Sequence, residues 1–278
     1  MNAQPAEISL RFNRQPGLPS GQAVGTTAGQ RFLLFSGPAA FGIAPGQPFA
    51  HAEALPPLRA GHVLRGDQEE HRVLGRSWWP GVGTQPDAPC WLLETLVPAP
   101  SGLDEVRPLA LSRSGFALAW ITLSDKGAAG LRADASGPLI EELARVQMPL
   151  CLARGLVLPD EERQLAALLT HLALVDGFDF ICTTGGTGVA PRDVTPEATL
   201  RVIEKRMPGF ERAMTMVSLA KTSRAAVSRA VCGTLGGALI INLPGSPKAV
   251  RECLEAVLPA VAHTIEKLQG DPSDCAQG

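Results

Sequence analysis

The chain contains no C-x-x-C pair, no long basic run and no apolar stretch approaching the length of a membrane span. Cys90, Cys151, Cys182, Cys232, Cys253 and Cys275 are widely scattered. That spacing favours isolated reduced thiols over a zinc framework or a disulfide scaffold, and a cytoplasmic setting is expected. A duplex-binding protein needs a positive stripe to follow phosphates. With a formal net charge of −2 and no such stripe, nucleic acid is not the expected partner. The first ten residues lack the basic start and apolar run of a signal peptide, and no segment has the length to cross a bilayer. His51, His62, His71, His171 and His263 fall in no metal-ligand spacing and read as packed or exposed side chains.

What is present is ordinary globular material, with 45% hydrophobic and 19% charged residues in 278 positions. That is enough for one large domain or two smaller ones. Composition changes near residue 112. Up to Ser112 lie fourteen of the 24 prolines and eight of the thirteen aromatic residues, while the first lysine is Lys126. Ile8, Leu10 and Phe12 alternate with polar residues as a half-buried strand does. Arg31–Ser36, His62–Arg65 and Cys90–Val97 are further strand candidates, divided by turns such as Gln15–Gln22 and Pro45–Pro48. Residues 1–112 therefore read as a small, mostly β domain, with Pro98–Pro108 as the linker. Trp78 and Trp79 are adjacent, so in a strand one is expected buried and the other half-exposed.

From residue 113 to 278 strands alternate with helices. Phe116–Leu123, Leu150–Leu158, Phe178–Thr183 and Ala238–Leu243 are apolar strand runs. Between and after them lie helices over Pro138–Val146 (cap Ser136 or Gly137), after Asp160, after Thr195, and from Ser246-Pro247 to about Leu268. Leu165, Leu168, Leu169 and Leu172 keep helical spacing. Continuous apolar strands between helices imply a three-layer αβα, doubly wound, mostly parallel sheet. Such sheets bind ligands at the carboxyl ends of their strands.

Those strand ends carry the chemistry. Thr183-Thr184-Gly185-Gly186-Thr187-Gly188 follows one strand, and its glycines allow backbone amides to approach an anion. Alone, the loop reads equally well as a phosphate cradle or as a tight turn. It matches neither the dinucleotide fingerprint nor the P-loop. Asp193 lies just beyond it. Taken alone it reads as a turn residue bonding local amides, while beside a phosphate it suggests Mg²⁺ coordination or proton transfer. Ser124-Asp125 and Asp160 follow two other strands, and an isolated Asp160 reads first as a helix cap. Asn242-Leu243-Pro244-Gly245-Ser246-Pro247 feeds a helix N-terminus, whose dipole favours a second anionic group.

The run Thr183–Thr199, T-T-G-G-T-G-V-A-P-R-D-V-T-P-E-A-T, resembles the signature of the MogA/MoaB family. Also similar are Ile121–Asp125, Gly130, Asp134–Pro138, Leu158–Glu161, Met207–Phe210, Ser228-Arg229 and Leu239–Val250, in the family's order over about 155 residues. The resemblance implies an enzyme that transfers AMP from MgATP to the terminal phosphate of molybdopterin. It implies Asp160 and Asp193 as catalytic residues, with Asp193 as a Mg²⁺ ligand. Substrate is expected on Ser124, Asp125, Thr184, Gly185, Gly186, Thr187, Gly188, Ser228, Arg229, Asn242, Pro244, Gly245 and Ser246. A homotrimer or higher homo-oligomer is implied as well, with other cofactor-synthesis proteins as partners. The alternative is a non-catalytic module that binds or delivers molybdopterin. One departure is the run Cys232–Gly237, which has glycine where some relatives carry a serine. The resemblance does not reach residues 1–112, whose role the sequence leaves open; a third reading makes them an interaction or substrate-channelling module.

Overall fold

The computed structural model describes residues 7–12, 26–37, 49–80, 87–98 and 106–272. The chain divides into two compact units, Met1–Ser114 and Gly115–Gly278. Among the described residues no helix is long and apolar enough to cross a membrane.

The first unit is a closed barrel of β1 (Glu7–Phe12), β2 (Arg31–Ser36), β3 (Phe49–Ala52), β4 (Val63–Arg65), β5 (Glu70–Trp79), β6 (Ala88–Val97) and β7 (Val106–Ser112), in the order β1-β3-β2-β6-β5-β4-β7. Alternation decides which side chains enter it: Ile8, Leu10 and Phe12 point inward and pack with Phe32, Leu34, Leu64, Leu93 and Leu109. Closure pairs both edges, so no strand is left exposed as a template for aggregation.

The expected linker needs correction here. Residues 106–108 belong to β7, which pairs with β1 and β4 and closes the barrel. Prolines disguised this strand, but burial of Leu109 and pairing along both sides hold it in place. Residues 99–105 of that stretch, and the turns Gln15–Gln22 and Pro45–Pro48, lie outside the described residues. Strand β5 also escaped the sequence reading, because register shifts at Glu70/His71 and Val73/Gly75 interrupt its alternation. Near its end Trp78 is 63% exposed while Trp79 packs against Leu33, Phe35 and Cys90.

The second unit is built on one sheet of six strands. These are β8 (Phe116–Leu123), β9 (Leu150–Leu158), β10 (Phe180–Thr184), β11 (Lys205–Arg206), β12 (Cys232–Leu235) and β13 (Ala238–Leu243), in the order β11-β12-β13-β10-β8-β9. β13, β10, β8 and β9 run parallel, whereas β11 and β12 add an antiparallel edge. The sheet is therefore mixed. The helices are α1 (Asp125–Ala128), α2 (Gly137–Gln147), α3 (Glu162–Thr170), α4 (Thr195–Leu200), α5 (Pro208–Leu219) and α6 (Pro247–Leu268), with a wider turn at His171–Asp176 and a tighter one at Ser223–Val227.

On one face Leu118, Trp120, Phe180, Cys182, Leu239 and Ile241 pack against residues of α2 and α6 such as Ile140, Leu254 and Val261. Their neighbours along the strands, Ala119, Ile121, Ile181 and Ile240, point the other way and are also buried. Burial on both faces explains why these strands read as continuous apolar runs. The third strand begins at Phe180, two residues later than the run suggests, because Asp179 is otherwise engaged. Its carboxylate accepts the Ala117 amide at 2.7 Å and the Gln269 side-chain amide at 2.7 Å, tying the amino ends of the strands together.

Candidate active site

Chain order creates the site. β8 is followed by β9 on one side and β10 on the other, so the winding direction reverses between β8 and β10. Loops leave such a point in opposite directions and open a crevice. A cleft lies there, lined by Thr122, Ser124, Asp134, Ser136, Thr184, Gly185 and Gly245, with Arg132 as its cationic residue. Gly185 turns out of β10 at φ 96°, and its amide donates to the Leu243 carbonyl at 3.3 Å. Among the described residues the amides of Gly186, Thr187 and Gly188 have no protein partner. Those three donors are available to an anion.

The two aspartates expected to be catalytic flank this glycine loop. Asp160 Oδ1 lies 3.3 Å from the point where a Cβ on Gly186 would sit, and Asp193 Oδ2 lies 2.8 Å from the equivalent point on Gly188. They are close enough for the Asp193 charge to disfavour ionisation of Asp160. Neither lines the cleft itself; both border the loop beside it. Asp160 does not cap α3, whose cap position is Glu161 with no side-chain bond. Instead Asp160 and Asp125 exchange bonds. The Asp125 amide donates to Asp160 Oδ2 at 3.1 Å, and the Asp160 amide donates to Asp125 Oδ1 at 3.1 Å. Arg192 then grips both oxygens of Asp125 at 2.7 and 3.2 Å and donates to Glu161 at 2.8 Å.

Opposite shifts follow for the two carboxyls. Hydrogen bonds from Arg192 hold Asp125 below the usual carboxylate range. Burial raises Asp160, reinforced by the Asp125 and Asp193 charges and opposed by the Asp125 amide and Arg192. Asp160 thus favours the protonated form on folding. Its contribution to stability is full below the ordinary carboxylate range and is lost as pH rises through its folded value. For Asp125 the contribution exists above that range and is lost as pH falls through its folded value. Carbon-13 NMR titration is expected to show Asp160 ionising well after Asp125. Coincident midpoints would contradict this geometry.

Several expected ligands are committed elsewhere. Asn242 is fully buried: its amide group donates to Thr183 and Thr199, each at 2.9 Å, while its carbonyl accepts the Val231 amide at 3.2 Å. It braces strands and helix and does not reach the rim. Thr184 lines the cleft, but its hydroxyl donates to the Pro244 carbonyl at 2.7 Å. Thr195 is the first residue of α4 and no cap, its hydroxyl donating to the Gly185 carbonyl at 2.8 Å. Ser246, expected on the substrate, caps α6, its hydroxyl accepting the Ala249 amide at 3.3 Å. Ser124 caps α1 and also lines the cleft. Pro244 and Ser228 line a second, more apolar cleft with Met214, Ser218, Arg224 and Cys253. The Pro244–Pro247 turn therefore contributes to both clefts.

Residues 119–263 match the family described as a probable molybdopterin binding domain. The chain belongs to that family. A molybdopterin adenylyltransferase of Helicobacter pylori is 40% identical over 153 residues, which cover 54% of this chain and 86% of the relative. The molybdenum cofactor synthesis protein cinnamon of Drosophila melanogaster is 38% identical over 153 residues, 55% of this chain. This chain spans only 26% of cinnamon. Among solved structures, the molybdopterin biosynthesis enzyme MoaB of Thermus thermophilus superposes with a TM-score of 0.52 at 44% identity, covering 57% of this chain and 99% of that one. The barrel lies outside the family match.

Within this unit the sequence reading missed Asp134 as part of the candidate site. Its Oδ2 accepts the Thr122 hydroxyl at 2.6 Å, and its Oδ1 accepts the amides of Ser136 and Gly137 at 3.0 and 2.9 Å. The Ser136 hydroxyl continues to the Gly245 carbonyl at 2.9 Å. The signal was present: aspartate two residues before serine and three before glycine, at a helix start, is a side-chain turn. What the residues do not disclose is that this turn forms one wall of the crevice.

Proposed function

We propose that the second unit transfers AMP from MgATP to the terminal phosphate of molybdopterin, within molybdenum cofactor biosynthesis. One observation carries the reading: Asp160 and Asp193 flank three unpartnered amides on the loop that leaves β10 beside the crevice. The names of the relatives support the same reaction.

A phosphate oxygen of molybdopterin attacks the α-phosphorus of ATP and a new phosphorus–oxygen bond forms. The bond to the oxygen bridging α- and β-phosphorus breaks, and pyrophosphate departs with that oxygen and its electron pair. Two anions must meet, so alignment and charge neutralisation dominate the barrier. The loop amides bind phosphate oxygens without bringing counter-charge of their own. Two clefts, one on either side of the Pro244–Pro247 turn, are wide enough apart to take the two substrates separately in this reading. Arg132 supplies a positive charge at the first of them.

The donor set fits magnesium carried in with ATP. Among the described residues no three His, Cys, Asp or Glu side chains converge to hold a metal ion, yet Mg²⁺ commonly takes one or two carboxylates and leaves the rest to water and phosphate. Asp193, with Asp160 beside it, would hold such an ion, which would neutralise phosphate charge. Self-association belongs to the same reading, since Leu200, Met216, Leu219 and Val227 are exposed apolar side chains.

The test is pyrophosphate release by the full chain. Release is expected only when molybdopterin, ATP and Mg²⁺ are all supplied. Tight molybdopterin binding without ATP consumption would reduce the unit to a binding or delivery module.

A further inference from the structure

Arg229 is expected from the family motif to touch substrate, but its bonds describe another task. Its amide donates to the Thr187 carbonyl at 2.9 Å. Its Nε donates to the Gly188 carbonyl at 2.7 Å, and one terminal nitrogen donates to the Asp193 carbonyl at 2.8 Å. The other terminal nitrogen pairs with Glu197 on α4 and holds that carboxyl below its usual range. Four points along one loop and the helix after it are therefore bound by one residue. Three of them are held by a planar fork, which keeps its acceptors in a fixed relation.

That relation matters because of what lies between the tethered carbonyls. Asp193 Oδ2 accepts the Ala190 amide at 2.7 Å, and the Asp193 amide donates to the Ala190 carbonyl at 2.8 Å. The carboxylate is thus part of the turn and moves with it. The turn folds back until Asp193 Oδ2 is 2.8 Å from where a Gly188 Cβ would be. The Ala190–Asp193 bonds close the tight turn itself, and the Arg229 fork joins the Gly188 carbonyl to the Asp193 carbonyl across its mouth. Arg192, the other cation of the segment, reaches outward to Asp125 and Glu161 and does not set this distance.

We propose that Arg229 is a positioning residue that staples the Gly188–Asp193 turn shut, fixing the Asp193 carboxylate against the glycine loop, and that it is not a substrate ligand. This deepens the nucleotidyl-transfer reading and rests on it for its catalytic consequence. The staple itself is independent of that reading. Lysine cannot replace it: one ammonium group cannot reproduce the planar fork across two carbonyls and a carboxylate.

Arg229→Gln and Arg229→Lys, made in the full chain, test it with two readouts. The first is amide hydrogen exchange at Ala190 and Asp193, the hydrogen-bonded amides of this turn, in the ligand-free protein. At least tenfold faster exchange is expected in both variants, with exchange in β10 and β13 unchanged. Wild-type exchange in this turn would overturn the staple, and faster exchange throughout the sheet would show a general fold defect and overturn it equally. The second is steady-state pyrophosphate release. A fall in kcat of tenfold or more, with KM for ATP and for molybdopterin within about twofold of wild type, is expected. A tenfold rise in either KM at unchanged kcat would make Arg229 a substrate ligand and overturn the assignment. Absence of release by the wild-type chain would sink the nucleotidyl-transfer reading alone, and the exchange data would still decide the staple.

Discussion

Asp193→Ala is expected to lower pyrophosphate release by about 10²–10³-fold, the scale on which a preorganised charge-stabilising group acts, about 2.7–4 kcal/mol. Asp160→Asn is expected to lower it on a similar scale. The grounds are positional. Asp193 is held by its own turn beside Gly188, and Asp160 stands at Gly186, so their charges bracket the three free amides between them. Asparagine preserves the shape of Asp160 and can still accept the Asp125 amide that now donates to it at 3.1 Å. Because burial disfavours the charged Asp160, the neutral variant is expected to melt no lower than wild type at neutral pH, and somewhat higher. Loss of activity with retained or raised melting temperature separates a catalytic role from a structural one. Normal turnover in both variants would remove the role assigned to the pair.

Gly185→Ala is expected to damage the unit more than any other single methyl group in the loop. The residue sits at φ 96°, and an added Cβ would lie 2.5 Å from the Leu123 carbonyl oxygen. A conformation that side chains disfavour costs about 1–3 kcal/mol, and overpacking adds about 1–3 kcal/mol. The backbone has little room to relax. The Gly185 amide is bonded to Leu243, and its carbonyl accepts the Thr195 hydroxyl at 2.8 Å. Gly130→Ala is the matched comparison: φ is 71° there, but nothing lies within 4 Å of the new Cβ. It is expected to cost only the conformational part, about 1–2 kcal/mol. Urea unfolding of the two variants measures the difference, and equal losses would show that the approach to Leu123 carries no weight. Because Leu123 ends β8 and Gly185 leaves β10, the same substitution would also push apart the two strands that open the crevice.

The barrel raises a different question. His71 is fully buried, with Glu69 at 3.0 Å and Thr95 at 3.3 Å from its ring nitrogens. Hydrogen bonding of this kind satisfies polar groups that closure removes from water. The Phe12 and Phe32 rings pack against the imidazole at 5.6 and 5.0 Å between centroids. With Arg107 3.6 Å from Glu69 and over the Phe12 ring, the group is a buried polar cluster that forms a structural element of the barrel. It was invisible in the sequence, where His71 stands in no recognisable pattern.

Local sequence determined much of this protein, for a local reason. Whether a segment forms a buried strand or a helix depends on periodicity within a few residues, so Phe116–Leu123, Leu150–Leu158, Ala238–Leu243 and the Ser246-capped helix were all legible. The long motif from Thr183 to Thr199 likewise declared its family without reference to any contact. Tertiary structure alone decided how those pieces are spent. Asn242 and Arg229 sit in motifs as conspicuous as Asp160, yet one braces the interior and the other staples a loop. Asp134 gave no sign that its turn walls the crevice. The physical reason is that a polar side chain takes whichever partners the fold brings within about 3 Å. Those partners come from strands dozens of residues apart, and their spacing along the chain does not encode the meeting.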